Sequence, residues 1–202
     1  MTTLGLTGGI GSGKTAAAAR LAEKPGVRIV FADDVAKRRM VDDEAVRSAV
    51  RQRVGAEAYR TDGSLGRAYV AGRVFGDEAE LAALNAIVHP AVRRAMLVAI
   101  EDARASGVQL LVYEAALIFE TGADKILDHV AVVDAPEALR VERAASRDGA
   151  TPEAIRERMA RQMDPAEMRA LADTILDNGG PLAALDAQVD ALYQRMVSPE
   201  AG

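Results

Sequence analysis

The chain has 202 residues, half of them hydrophobic and 27% charged, with a formal net charge of -5 and no cysteine. That length supports one sizeable core with a small appended lobe and is too short for two full domains. The acidic balance excludes a global basic field for nucleic acid or an anionic membrane. The missing thiols exclude a disulfide framework and a zinc–thiolate centre. Tryptophan is absent and aromatics make up 3%, so stacking platforms for single-stranded nucleic acid are not expected. No leader pattern opens the chain, and no run approaches the ~18–20 uninterrupted apolar residues of a spanning helix. A cytoplasmic enzyme or binding protein is expected.

In chain order, Thr3–Thr7 reads as a buried strand, followed by the glycine cluster Gly8–Gly13 and a helix over Lys14–Ala22 that stops before Pro25-Gly26. Arg28–Phe31 is the second strand. Residues 40–107 carry no strand signal, which is longer than a plain crossover and reads as an inserted helical lobe. Within it, helices are expected over Asp43–Val54, Asp77–Val88 and Ala91–Ala105, the last two separated at His89-Pro90. Gln109–Glu114 and His129–Asp134 are further strands. Thr151-Pro152-Glu153 opens a helix to about Gln162, with a capping threonine and proline at the first helical position. A weaker strand, Ala172–Leu176, ends at Asp177-Asn178-Gly179-Gly180. Pro181 starts a last helix to about Met196, and residues 197–202 read as a frayed tail. Strands alternating with helices imply an α/β fold: a five-stranded parallel sheet flanked by helices.

Gly8-Gly9-Ile10-Gly11-Ser12-Gly13-Lys14-Thr15 fits G-x-x-x-x-G-K-[ST] between a strand and a helix, the context a phosphate-binding P-loop requires. Small residues let backbone N–H groups turn inward around a phosphate, and the following helix points its positive end there. Lys14 reaches the β- and γ-phosphates, and the Thr15 hydroxyl is a ligand for Mg²⁺. The ligand is therefore a nucleoside triphosphate.

A GTPase switch would need an N/T-K-x-D motif, but Ala135-Pro136-Glu137 follows the fourth strand. A motor ATPase would need a strand ending in Asp-Glu and more chain for coupling. Small size, the inserted lobe and late arginines point to a small-molecule kinase. Asp33 follows the second strand, at the sheet edge shared with the phosphate loop, where a carboxylate can act as general base; a helix N-cap role for Asp33 or Asp34 competes with this. Arg140, Arg143 and Arg147 follow the fourth strand, and Arg156, Arg158 and Arg161 lie on the next helix. Arg143 and Arg147 share a helical face and can close over phosphates; a solvated basic helix paired with Glu142 and Glu153 is the alternative. His89 before Pro90 fits a structural cap as well as a substrate contact.

Beyond the loop, the chain carries Ala32-Asp33-x-x-Ala36, then Asp62-Gly63-x-Leu65-x-Arg67 leading to Val74-Phe75. Leu84-Asn85-x-Ile87-x-His89-Pro90-x-Val92 and Leu117-Ile118-Phe119-Glu120-Thr121-Gly122 follow. Val132-Val133-Asp134, with Arg143 and Arg147 behind it, Arg158-Met159-x-x-Gln162 and Ala172-Asp173-x-Ile175-x-Asp177-Asn178-x-Gly180 close the series. In this order the motifs resemble the dephospho-coenzyme A kinase family over nearly the whole chain. The resemblance implies a P-loop NTPase of the nucleoside-monophosphate-kinase-like class. Its core would span about 1–39 and 108–202, its helical acceptor lobe about 40–107 and its lid about 140–162.

The implied reaction moves the γ-phosphoryl of ATP to the ribose 3′-hydroxyl of dephospho-CoA, the last step of coenzyme A synthesis. The resemblance makes Asp33 the base and Arg143 and Arg147 the lid cations. It puts His89 and Arg93 at the acceptor, Ala16 with Gly8–Thr15 at the nucleotide phosphates, and Asn178 near adenine, where the residue alone reads as a turn asparagine. Phe31 stands where the family usually has a first Asp, leaving Thr15, Glu114 and water for Mg²⁺. Lys37 stands for a usual arginine and loses the bidentate fork. Ala116-Leu117-Ile118 replaces Pro-Leu-Leu, and Ala16 replaces a common second hydroxyl. ATP and dephospho-CoA are the expected partners, without nucleic acid or membrane, the chain being a monomer or weak homo-oligomer. The alternatives are a nucleoside monophosphate or gluconate kinase of the same fold, or a non-catalytic nucleotide-binding regulator.

Overall fold

A computed structural model describes residues 1–74 and 77–198. Phe75, quoted above with Val74, and residues 199–202 of the expected tail lie outside the described residues. The elements run β1 (Thr2–Thr7), α1 (Lys14–Ala22), β2 (Val27–Phe31), α2 (Ala32–Asp42), α3 (Glu44–Val54), α4 (Arg67–Val74), α5 (Glu78–Ala105) and β3 (Leu110–Glu114). They continue with β4 (His129–Asp134), α6 (Glu137–Asp148), α7 (Pro152–Met159), α8 (Pro165–Leu171), β5 (Thr174–Asp177) and α9 (Leu182–Val197). By internal packing the chain divides into two units, one of Met1–Val30 with the chain from Ile100 onward, the other Phe31–Ala99.

The five strands form one parallel sheet in the order β2-β3-β1-β4-β5. Central β1 is buried from Thr3 to Thr7 on both faces, which is why it reads as a continuous apolar run rather than an alternating one. Leu6 is in register with Glu114 of β3, and Thr7 with Val132 of β4. The carboxyl ends of these strands therefore share the edge from which the glycine cluster leaves. From β1 the chain crosses to the edge strand β2 and returns inward to β3 beside β1, then passes to β4 and β5 on the other side. The reversal falls between β1 and β4, the place where sheets of this kind bind ligands.

Alanine-rich α1 buries Ala17, Ala18 and Leu21, and α9 packs against it with Leu185, Val189 and Leu192. Asp190 of α9 accepts from Arg20 at 3.2 Å and pairs with Lys24 at 2.6 Å. The Tyr193 hydroxyl donates to the Pro25 carbonyl at 2.9 Å.

In the second unit, Asp43 caps α3 by accepting from the N–H groups of Ala45 and Val46, and Val46, Val50 and Val54 form its buried stripe. The guanidiniums of Arg47 and Arg51 lie 4.9 and 5.1 Å from the centre of the Tyr59 ring. The Tyr59 hydroxyl donates to the Met40 carbonyl at 2.7 Å, joining the end of α2 to this cluster.

Several elements depart from those expected. The helices expected over Asp77–Val88 and Ala91–Ala105 are one 28-residue helix that continues through Pro90. Proline removes only one i→i−4 bond, and the Ala86 carbonyl it leaves lies on an exposed residue, while Leu84, Val88, Ala91, Val92 and Met96 stay buried on both sides. Helix α5 is long and apolar enough to cross a membrane by length and composition, with a mean hydropathy of 1.3 over its most apolar window, but Arg93 and Arg94 interrupt the run. Helix α2 buries only Val35 and is strongly charged, so it lacks the apolar period that would have marked it. Helix α8 carries the same start signal as α7: the Asp164 carboxylate accepts from Ala166 and Glu167, with Pro165 at the first turn. The strand expected over Ala172–Leu176 sits at Thr174–Asp177; just before it, the exposed Asp173 accepts from the Val130 N–H at 2.8 Å, and its own N–H donates to the Val130 carbonyl at 3.0 Å.

Leu21 is fully buried between α1 and the sheet. Leu21→Ala is expected to lower unfolding stability by about 2–5 kcal/mol through lost transfer energy and a residual cavity, a change read from urea denaturation midpoints.

Candidate active site

The glycine cluster forms a tight loop between β1 and α1. Gly11 and Gly13 sit at φ 75° and 102°, in the left-handed region that a side chain disfavours. A Cβ on Gly11 would meet the backbone of Arg140, and one on Gly13 would meet the side-chain amide of Asn178. The Ser12 N–H donates to the Gly9 carbonyl at 3.1 Å, and the N–H groups of Ala16 and Ala17 donate to the Gly13 carbonyl at 3.0 and 3.1 Å. Lys14 Nζ donates to the Gly8 carbonyl at 2.6 Å and to the Gly9 carbonyl at 3.3 Å. Ser12 Oγ is buried without a hydrogen-bond partner, and Thr15 and Ala16 are exposed at the start of α1. An orphaned hydroxyl in a glycine cradle at a helix N-terminus fits a phosphate.

Neighbouring elements hold the loop from outside. Asn178, buried after β5, donates through Nδ2 to the Ser12 carbonyl at 2.7 Å, and its own N–H donates to the Asp134 carbonyl at 2.7 Å. Arg143 Nη1 donates to the Asn178 carbonyl at 3.0 Å. Gln162, one turn beyond α7, accepts from the Ile10 N–H at 2.8 Å. Ile10 packs against Val141 and Ala144 of α6 and Ile155 of α7. The loop is thus tied to β5, α6 and the α7 end together. Beside it, at the carboxyl end of β4, is a cavity of about 360 Å³ lined by Gly9, Asp134, Glu137, Arg140, Arg156 and Gln162 among others.

Arg147 is engaged differently from Arg143. Its Nε donates to Asp148 Oδ1 at 2.7 Å and an Nη to Oδ2 at 3.2 Å, while Arg158 Nη1 reaches the same Oδ2 at 2.6 Å. These hydrogen bonds, first Arg147's and then Arg158's, hold the Asp148 carboxyl well below the usual carboxylate range. Of the two expected lid cations, Arg143 touches the loop's support and Arg147 belongs to an exposed ion-pair cluster.

In the second unit, Asp33 is exposed in the first turn of α2. The N-cap is Phe31, without a side-chain cap bond, so neither Asp33 nor Asp34 caps this helix. Asp34 pairs with Lys37 at 2.9 Å. His89 is half-buried and Arg93 exposed, four residues apart along α5, so they share a face.

A dephospho-CoA kinase family profile matches residues 2–184. A dephospho-CoA kinase of Salinibacter ruber is 46% identical over 96% of both chains, and one of Corynebacterium diphtheriae is 40% identical over 98% of both. The crystal structure of a Thermus thermophilus protein superposes with a TM-score of 0.78 at 32% identity, covering 98% of each chain.

The chain belongs to the dephospho-CoA kinase family. It is an ATP-dependent kinase, and its substrates are dephospho-CoA and ATP. The other kinases and the non-catalytic regulator weighed above are not favoured. In this member of the dephospho-CoA kinase family, two contacts around the loop have no signature in the sequence. Gln162 stood inside a quoted motif, but nothing in its spacing told that its amide reaches Ile10. Arg140 was grouped with Arg143 and Arg147, though it alone is buried, at 7% exposure.

Burial lowers the imidazole pKa of both His89 and His129; at His129 Asp173 opposes this and Arg195 reinforces it. A lowered pKa means the fold favours the neutral ring, so the associated stability is present above the ordinary imidazole value of about 6.5 and lost as pH falls through it. Urea midpoints are expected to drop between about pH 7 and 5, and the drop to shrink in the His89→Gln, His129→Gln double variant.

Proposed function

We propose that the chain transfers the γ-phosphoryl of ATP to the ribose 3′-hydroxyl of dephospho-CoA, giving CoA and ADP, with Asp33 as general base. The observation that carries the phosphate half is the glycine cradle of Gly8–Gly13 around the orphaned Ser12 hydroxyl, with Lys14 at its mouth. Family membership carries the donor and acceptor.

In this reading the backbone of Gly9–Thr15 and Ala16 surrounds the phosphate chain, and Lys14 exchanges the Gly8 and Gly9 carbonyls for phosphate oxyanions. Thr15, exposed at the start of α1, would offer its hydroxyl to Mg²⁺, with Glu114, in register with Leu6 at the loop's root, as the nearby carboxylate; the cation would supply neutralising charge to the phosphate oxygens. Asp33 accepts the proton of the 3′-hydroxyl as that oxygen forms its bond to phosphorus and ADP departs with the electrons of the broken bond. The failure of the competing cap role supports Asp33, since its carboxylate has no capping duty. Arg143 and Arg147 offset charge on the moving phosphoryl group, Arg147 after leaving Asp148. His89 and Arg93 hold the acceptor, and Asn178, already fixed beside Gly13, borders the adenine. The reading includes a cytoplasmic monomer or weak homo-oligomer, and the net charge of -5 supports a chain that uses neither nucleic acid nor an anionic membrane.

Asp33→Asn is expected to lower kcat by about 10²–10⁴-fold while leaving the ATP KM nearly unchanged and the fold intact. Near-normal turnover would remove Asp33 from the base role. In an ADP-release assay offering dephospho-CoA, AMP, CMP and gluconate, dephospho-CoA should be strongly preferred; equal use of another acceptor would overturn the assignment.

A further inference from the structure

Arg140 of α6 is the charged side chain most deeply buried among the described residues, at 7% exposure. Its Nε is buried without a hydrogen-bond partner, and no ion pair to its guanidinium exists among the described residues. A guanidinium taken out of water without a counter-charge is costly, and proteins ordinarily pair it. Its surroundings are arranged around it. Nη1 occupies the space that a Cβ at position 9 would need, so Gly9 admits the arginine to the phosphate loop. The Arg140 backbone fills the corresponding space beside Gly11. Arg140 is one of the residues lining the cavity beside Gly9 at the carboxyl end of β4.

The cavity's carboxylates do not neutralise it. Asp134 pairs with Arg169 at 2.9 Å. Asp164 accepts from the N–H groups of Ala166 and Glu167 at the start of α8. Glu137 lies 3.8 Å from Arg156, which also lines the cavity. Each of the cavity's carboxylates faces another donor, and the buried cation is left without a counter-charge beside the phosphate loop.

We propose that Arg140 is a phosphate-binding residue of this enzyme, and that with Arg156 at the cavity's edge it forms an oxyanion subsite adjoining the loop at Gly9. The ligand chemistry is a phosphate oxyanion held by a buried guanidinium fork. Both substrates carry such groups: the phosphate chain of ATP and the diphosphate of dephospho-CoA. The proposal rests on the kinase reading above, and its test measures binding rather than turnover, so the two fail separately.

The test compares Arg140→Gln and Arg140→Lys with the unaltered chain by calorimetric titration of a non-hydrolysable ATP analogue and of dephospho-CoA, alongside thermal unfolding without ligand. Arg140→Gln removes an unpaired buried charge, so its ligand-free Tm should equal or exceed that of the unaltered chain. Its affinity for one of the two substrates should fall about 10–100-fold, with Arg140→Lys between the two. The substrate that weakens identifies the phosphate source. A lower Tm with both affinities within twofold of the unaltered chain would make Arg140 a structural residue and overturn the proposal. Should Arg140→Gln not fold, the Arg140 Nε–H resonance is followed in the Lys14→Ala chain, whose loop cation is gone, while inorganic phosphate is added. A saturable shift supports the subsite, and an unmoved resonance overturns it.

Discussion

The Asn178 side chain donates to the Ser12 carbonyl at 2.7 Å across 166 residues of sequence, and the phosphate loop depends on that bond and its neighbours. A loop binds phosphate only if its N–H groups turn inward, which requires its carbonyls to be satisfied elsewhere. Here Ser12 offers its carbonyl to Asn178, Gly13 to the first turn of α1, and Gly9 to the Ser12 N–H. Asn178 is in turn held by the Asp134 carbonyl and by Arg143. The chain therefore reaches its phosphate site only when β4, β5 and α6 are in place, although every residue of the glycine cluster lies within its first 13 positions.

The strength of the sequence signal differed between the two units. Strands β1 and β4 and helix α1 were legible because a parallel strand buried on both faces leaves a Val/Leu/Ile run, and because glycine before lysine at a helix start has few other uses. The same logic located α3, whose valines recur every four residues above the Asp43 cap. Pro90 misled, since the packing of α5 on either side outweighs one missing hydrogen bond. Helices α2 and α4 were invisible because they bury only Val35 and Val70, respectively. The loop itself was readable to the residue. The contacts around it were not, because Arg140, Gln162 and Asn178 reach it from α6, the α7 end and the β5 end, respectively, and no local spacing encodes a contact of that range.

The same reasoning separates the arginines. From sequence, Arg140, Arg143 and Arg147 form one basic row one helical turn apart. In the fold, Arg143 steadies Asn178, Arg147 chelates Asp148, and Arg140 is enclosed against Gly9. Burial and partner, rather than charge alone, decide which guanidinium is available to a phosphate. An exposed, carboxylate-bound arginine such as Arg147 must give up its partner to act, whereas a buried and unpaired one has no partner to give up.

The central claim is transfer to one hydroxyl of one acceptor. Its most direct measurement is a single-turnover reaction of the enzyme with γ-labelled ATP and dephospho-CoA, followed by location of the label in the product. Label on the ribose 3′-oxygen of CoA, with none transferred to a 3′-deoxy analogue, is the predicted result. Label released as inorganic phosphate, or carried equally by the 3′-deoxy analogue, would contradict it.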